Sequence, residues 1–121
     1  LGMSRVLILA AHGRRLAASN DEIRQLAAAL EPVVAGRYQR VDAAFLELAD
    51  PSIAAAIDAA VAAGARDIAV LPYFLAAGRH VSRDLPRLVK DRQQAHPAIS
   101  IRLLDYLGRR PELLELLAKS V

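Results

Sequence analysis

The chain contains no cysteine and very few large aromatic side chains. Cysteine and tryptophan are absent from its 121 residues, and aromatic residues make up only 4% of the sequence. Without thiols, the protein cannot form disulfides, zinc–thiolate sites, iron–sulfur clusters or a cysteine nucleophile. Any metal site must therefore use histidine and carboxylate ligands. The scarcity of aromatic rings also disfavours the base stacking by which many proteins hold single-stranded nucleic acid.

Long apolar runs and a strong charge imbalance are missing as well. Hydrophobic residues make up 55% of the sequence, but charged residues interrupt the apolar stretches well before the roughly 18 residues of a membrane span accumulate. The N-terminus has no signal-peptide pattern, and we expect a cytoplasmic protein that binds no membrane. The 16 basic and 13 acidic residues give a net charge of +3, which permits an anionic partner without indicating nucleic acid.

The chain has the length of one domain. No linker, internal repeat or low-complexity segment divides it, so we predict a single domain over residues 3–121. Leu1 and Gly2 precede Met3 and are interpreted as an expression remnant.

Strand-like and helix-like segments alternate along this domain. Short apolar or alternating runs predict strands at residues 5–11, 38–48, 67–75 and 99–107. Helical spacing of apolar residues predicts a helix after each of them. Units of this kind form parallel sheets with right-handed crossovers and helices on both faces. We therefore predict an α/β fold, a flavodoxin-like three-layer sandwich with a four-stranded parallel sheet and the strand order 2-1-3 at its centre.

Local signals place the beginnings of two helices. Ser19 and Glu22 have the spacing of a capping box, and apolar residues then recur at helical spacing until Gly36. These residues, which are predicted to face the core, are Ile23, Leu26, Leu30 and Val33. Asp50 followed by Pro51 predicts the N-cap and first turn of the second helix.

Two histidines and a carboxylate follow the predicted strands at equivalent places. His12 follows the first strand, Glu47 closes the second, and His80 lies in the loop after the third. Taken singly, each is most often a solvated surface residue, but the carboxyl ends of neighbouring parallel strands meet at one edge of the sheet. Two histidines and a glutamate suit a labile divalent first-row metal with open coordination positions. His96 lies at the opposite rim and is predicted to be an ordinary polar residue.

Four arginines lie beside the two histidines. Arg14 and Arg15 follow His12, and Arg79 and Arg83 flank the second histidine. Guanidinium groups pair well with carboxylates and phosphates, so these arginines indicate either an anionic substrate or a solvated basic rim. Neither a glycine-rich phosphate loop nor a serine nucleophile elbow occurs in the chain.

Several segments resemble the sirohydrochlorin cobaltochelatases of the short, single-domain type. The segments are LILAAHG, FLELADPSI, VLPYFLAAGRHVSRDLP and HPAISIRLLDYLG, and the likeness runs from about residue 5 to the end of the chain. The resemblance implies a class II chelatase with the chelatase-like form of the flavodoxin-like fold. Such enzymes insert Co²⁺, or in relatives Ni²⁺ or Fe²⁺, into the tetrapyrrole sirohydrochlorin, with cobalt insertion an early step of cobalamin biosynthesis. It also implies a homodimer, because longer relatives fuse two such domains.

The resemblance assigns roles to the residues already singled out. It implies that His12 and His80 are the catalytic and metal-binding histidines and that Glu47 assists them. A histidine's ordinary pKa of about 6.5 lets it bind a metal or accept a proton near neutral pH. The four arginines would orient the carboxylates of the tetrapyrrole. No organic cofactor is implied, because the divalent metal, most simply Co²⁺, is itself a substrate.

One departure keeps other functions open. The family's first motif reads histidine-glycine-serine, whereas Arg14 follows His12 and Gly13 in this chain. A paralogue with altered specificity would fit that change. A non-catalytic carrier of metal or tetrapyrrole on the same fold would bind without turnover. A small-anion-binding module without a metal would show no histidine-dependent uptake of cobalt.

Overall fold

A four-stranded parallel sheet forms the centre of the molecule. The computed structural model describes residues 4–121, so the interpretation of Leu1 and Gly2 as an expression remnant lies outside the described residues. The strands are β1 (Arg5–Ala11), β2 (Arg40–Phe45), β3 (Asp67–Pro72) and β4 (Ser100–Leu103). The helices are α1 (Ala17–Val33), α2 (Ile53–Ala62), α3 (Leu85–Ala95) and α4 (Glu112–Lys119). The strand order is β2-β1-β3-β4 with all neighbours parallel, which confirms the predicted α/β architecture.

The two faces of the sheet bury separate apolar clusters. Successive side chains of a strand point to opposite faces, so β1 contributes to both. The cluster against α2 and α3 has as its large members Ile8, Ile53, Ile57, Ile68 and Leu85. The cluster against α1 consists of Leu7, Leu9, Ala27, Val34, Val41 and Ala69. Helices therefore cover both faces of the sheet, as a three-layer sandwich requires.

α1 begins earlier than predicted, and two of its four predicted core residues, Ile23 and Leu30, pack against the cluster on this side of the sheet. It begins at Ala17 and has no side-chain cap, and Ser19 lies within its first turn, so the predicted capping box is wrong. Leu26 and Val33, predicted to face the core, are exposed. The buried residues of α1 are Asn20 and Ala27. The small side chain of Ala27 lets the helix lie close to the sheet.

α2 begins later than predicted. Its cap is Ser52, whose hydroxyl oxygen accepts a hydrogen bond from the N–H of Ala55 at 3.1 Å. The N-cap prediction for Asp50 is wrong because the chain beside it is held against the end of β2. The N–H of Phe45 donates to the carbonyl of Pro51 at 2.9 Å, and Phe45 also bridges to Ser52. Only after that bridge can the helix begin.

β1 has the predicted bounds, whereas the other three strands are shorter than the predicted runs. β2 ends at Phe45, so Glu47 lies two residues beyond the strand rather than closing it. β3 ends at Pro72, which has no N–H to donate to a neighbouring strand. β4 spans four residues and pairs only with β3, as an edge strand does.

The C-terminal part of the chain is the least covered. α4 has no buried residue, and its exposed apolar side chains are Leu114, Leu116 and Leu117.

A π-helical turn, His80–Asp84, leads into α3. Within residues 4–121, no helix combines the length and the hydropathy that crossing a bilayer takes.

Candidate active site

His12 and Glu47 meet in the two loops that leave β1 and β2. His12 directly follows β1, and its Nε2 lies 3.0 Å from Oε2 of Glu47. The backbones of the loops are joined as well, because the N–H of Glu47 donates to the carbonyl of His12 at 3.1 Å. The His12 side chain is 32% exposed and that of Glu47 is 49% exposed, so both can reach a ligand. Adjacent parallel strands thus deliver an imidazole and a carboxylate to one place.

Gly13 allows this close approach of the two loops. Its φ is +91°, a conformation that side chains other than glycine rarely adopt. A Cβ at this position would lie 1.8 Å from the carbonyl oxygen of Glu47. Any other residue would therefore push the loop that carries His12 away from the loop that carries Glu47.

The second histidine packs against the first. The ring of His80 lies 5.1 Å from the ring of His12, edge to face with an interplanar angle of 73°. Phe74, which follows β3, also meets His12 edge to face at 6.5 Å. The structure thus brings together the three residues that sequence reasoning placed at this edge, His12, Glu47 and His80.

A second carboxylate, absent from the sequence prediction, lies beside His80. Oδ2 of Asp84 is 3.2 Å from Nδ1 of His80, and the two side chains are about equally exposed. The π-helical turn brings them together, because the N–H of Leu85 bonds to the carbonyl of His80 and winds residues 80–84 into one wide turn. A spacing of four residues between histidine and aspartate was the available signal. Each histidine therefore has its own carboxylate neighbour.

These side chains contact one another in pairs. Among residues 4–121, no three histidine or carboxylate side chains are arranged so that they could together hold a metal ion. His12 is the common neighbour, since it contacts Glu47 on one side and His80 on the other. The roles of these residues as metal ligands remain a prediction.

A cleft and a groove adjoin the histidines. The cleft has a volume of about 430 Å³, and its walls include His12, Arg14 and Asn20. The groove, of about 850 Å³, lies between α4 and residues 73–75, which also line the cleft. Its walls include three leucines of α4, Leu113, Leu116 and Leu117. A polar cleft at the histidines thus opens beside a largely apolar surface.

The four predicted arginines lie at the same edge of the sheet. Arg14, Arg15, Arg79 and Arg83 are all exposed. The side chain of Arg14 borders the cleft, and Nε of Arg83 lies 3.7 Å from Oδ1 of Asp84. The structure therefore brings basic groups to the histidines without burying them against acidic partners.

Asn20 is a buried polar residue that sequence reasoning missed. It is only 6% exposed, and its Oδ1 accepts a hydrogen bond from the N–H of Arg14 at 2.9 Å. Its Nδ2 donates to the carbonyl of Arg14 at 2.7 Å. One amide side chain thus holds both backbone groups of a residue in the loop after His12.

His96, predicted to be an ordinary polar residue, contacts a carboxylate on a neighbouring helix. Its Nε2 lies 2.7 Å from Oδ1 of Asp58, which also accepts a hydrogen bond from Arg92 at 3.0 Å. These contacts lower the pKa of Asp58, the hydrogen bond with His96 more than that with Arg92, while partial burial opposes the shift. Asp58, Arg92 and His96 therefore link α2 to the end of α3, and His96 is part of this link.

The chain matches the CbiX family over residues 6–121. Over 83 residues it is 34% identical to a sirohydrochlorin cobaltochelatase from Methanopyrus kandleri, a match that covers 69% of this chain and 57% of that protein. The chain therefore spans less than two thirds of the length of that curated relative.

Two solved structures have the same fold over almost the whole chain. A CbiX protein from Marinobacter aquaeolei VT8 superposes with a TM-score of 0.78 at 31% identity, covering 96% of this chain and 92% of that one. The sirohydrochlorin chelatase SirB from Bacillus subtilis subspecies spizizenii, solved in complex with cobalt, superposes with a TM-score of 0.74 at 26% identity. That match covers 97% of this chain and 49% of SirB.

Proposed function

The chain belongs to the CbiX family, as its sequence motifs indicated, and on this premise we propose that it inserts a divalent metal into sirohydrochlorin. The observation that carries the proposal is the position of His12, in contact with Glu47 and packed on His80 beside an open cleft. Co²⁺ is the proposed metal substrate, because the Methanopyrus relative is a cobaltochelatase and SirB binds cobalt. We place the reaction in the cytoplasm, at an early step of cobalamin biosynthesis.

The chemistry of metallation matches the groups at this edge. Two pyrrolic N–H bonds of the macrocycle break, their protons leave, and the ring nitrogens then bind the metal. A neutral imidazole can accept such a proton or bind the metal through the lone pair of one ring nitrogen. A carboxylate beside each imidazole favours the positive charge that arrives with a proton. We assign these tasks to His12 and His80, with Glu47 as a third metal ligand or a proton relay.

The cleft and the groove together suit a flat polycarboxylate. The apolar surface at residues 73–75 can receive a face of the macrocycle, and the exposed arginines can bind its carboxylates through charge-assisted hydrogen bonds. Arg14, Arg15, Arg79 and Arg83 are the proposed substrate-binding groups. Holding the ring beside a bound metal makes insertion effectively intramolecular, and no organic cofactor is needed for it.

Metallation of sirohydrochlorin without oxygen tests the proposal directly. The purified protein should accelerate the absorbance change of Co²⁺ insertion over an enzyme-free control. His12→Ala and His80→Ala should each lower kcat by at least about 100-fold, the usual contribution of a positioned acid or base. His96→Ala is the matched control, because this histidine belongs to the link between helices, and it should keep the wild-type kcat.

Other outcomes would contradict the proposal in different ways. Full activity of His80→Ala would remove that histidine from the reaction. Tetrapyrrole binding without acceleration would make the protein a carrier. A lack of histidine-dependent Co²⁺ uptake, with anions still bound, would indicate a small-anion-binding module.

A further inference from the structure

Two side chains of α1 hold the two loops that carry His12 and Glu47. Asn20 and Arg24 are four residues apart and therefore lie on the same side of the helix. Asn20 holds the backbone of Arg14 through two hydrogen bonds, of 2.9 and 2.7 Å. Nη2 of Arg24 donates to the carbonyl of Asp50 at 2.8 Å. One face of one helix thus grips both loops.

Arg14 and Asp50, whose backbone groups Asn20 and Arg24 bind, lie close in sequence to His12 and Glu47. Arg14 is two residues after His12, and Asp50 is three residues after Glu47. The intervening chain has little freedom, because the N–H of Glu47 bonds to the carbonyl of His12 and Gly13 packs against the carbonyl of Glu47. A displacement of the backbone at Arg14 or Asp50 would therefore move the side chains of His12 and Glu47.

Arg24 is itself oriented by the end of β2. Its guanidinium lies 5.0 Å from the centre of the Phe45 ring, which is fully buried. This placement over an aromatic face favours a planar cation and directs the guanidinium toward Asp50. Arg24 also forms a 2.8 Å ion pair with Asp21 on the helix surface. Exposed ion pairs of this kind contribute little to the free energy of unfolding.

We propose that Asn20 and Arg24 are positioning residues that together set the distance between His12 and Glu47. Neither touches reacting atoms: the Asn20 amide is engaged by the backbone of Arg14, and Arg24 binds a backbone carbonyl. The inference rests on the proposed function, because it assumes that His12 and Glu47 act in metal insertion. Loss of the bond between Arg24 and Asp50 should affect the reaction step rather than binding of the tetrapyrrole, whereas loss of the Asn20 bonds also releases Arg14, a proposed substrate-binding residue.

Kinetics of Asn20→Ala, Arg24→Ala and the double variant test the proposal. Each single variant should lower kcat about 10- to 100-fold, as small misplacements of reacting groups do. KM for sirohydrochlorin should change less than about twofold in Arg24→Ala, because uniform binding is retained, and should rise in Asn20→Ala, because Arg14 is released. The double variant should lose little more than either single variant, because releasing one loop already frees the pair. Asp21→Asn is the matched control, since it removes the surface ion pair but leaves the bond to Asp50.

Amide hydrogen exchange supplies a readout that does not depend on activity. In Arg24→Ala, the Glu47 amide, which bonds to His12, should exchange at least about tenfold faster, because local opening becomes easier. Amides in the middle of β1 should keep their wild-type protection. Arg24 is exposed enough for this variant to fold even if Asn20→Ala does not.

The possible results separate this inference from the function on which it rests. Unchanged kcat and Glu47 exchange in a folded Arg24→Ala protein would overturn the inference. A loss of kcat that parallels a general loss of β1 protection would also overturn it, since the residues would then be merely structural. If the wild-type protein does not accelerate metal insertion, the proposed function itself fails, and if His12→Ala keeps full activity, the assignment of His12 to the reaction fails. If that variant is inactive while the α1 variants behave as wild type, only the positioning role is wrong.

Discussion

The three histidines show how strongly environment decides the role of a residue. His12 and His80 lie ring against ring at the carboxyl edge of the sheet, each beside a carboxylate and open to solvent. His96 also contacts a carboxylate, Asp58, but shares it with an arginine between two helices. A histidine beside an acid is therefore not by itself a site. The open cleft and the contact between two histidines distinguish His12 and His80 from His96.

Gly13 provides a prediction at this scale. Gly13→Ala should lower the free energy of unfolding by at least about 2 kcal/mol, because strained backbone costs of this order add to a clash with the Glu47 carbonyl. Gly36→Ala is the control, since a Cβ there meets nothing within 4 Å, and it should shift stability by less than about 1 kcal/mol. Urea unfolding measures both. Equal free energies of unfolding for the two variants would show that a Cβ at position 13 does not clash with the Glu47 carbonyl.

At the scale of elements, the type of each helix and strand followed from local pattern, whereas several ends did not. The run of residues 5–11 is apolar because both of its edges pair with neighbours and both of its faces are covered, and it forms β1 as predicted. The start of α2 depends instead on the bridge between Phe45 and Ser52, a contact with a neighbouring element. Capping signals at Ser19 and Asp50 could not reveal such contacts.

The link between α2 and α3 predicts a pH-dependent contribution to stability. The pKa of Asp58 is lowered from its ordinary value of 3.8, mainly by the hydrogen bond with His96, so folding favours the ionised carboxylate. The contribution of Asp58 to the free energy of unfolding is therefore fully present above pH 3.8, and it is lost as the pH falls through the lower pKa of the folded state. Asp58→Asn should lower the free energy of unfolding by at most about 1 kcal/mol at neutral pH.

Urea unfolding of wild type and Asp58→Asn at a series of pH values checks this expectation. The difference between the two proteins should be constant at neutral pH and should narrow below pH 3.8. Asp91→Asn removes a more exposed partner of Arg92 and serves as the control. A difference that stayed the same down to the lowest pH would show that Asp58 does not act through its charge.

At the scale of the whole molecule, the site exists because parallel strands end at a common edge. His12, Glu47 and His80 are far apart in sequence, and β1 at the centre of the sheet brings the loops that follow its two neighbours beside its own. The apolar groove against α4 lies at the same edge. Helices on both faces leave this edge free, so the chemistry and the exposed apolar surface lie together.

Association of two chains is the prediction that belongs to this scale. The resemblance to the short, single-domain chelatases implies a homodimer, and we propose that two chains associate. Sedimentation velocity at the concentrations used for metal insertion should give the mass of two chains, and dilution should release monomers together with a change in specific activity. A single species with the mass of one chain at the highest assay concentration would contradict the dimer.

The sequence by itself determined the class of fold, the strand order at the centre of the sheet and the three residues that meet at its edge. It did so because buried strands, helical spacing and glycine positions are local consequences of burial and backbone conformation. Only the tertiary structure decided the partners that come from other segments: Phe74 against His12, and the hydrogen bonds of Asn20 and Arg24 to two loops. These contacts join segments whose separation in space depends on packing, and no local pattern encodes that separation.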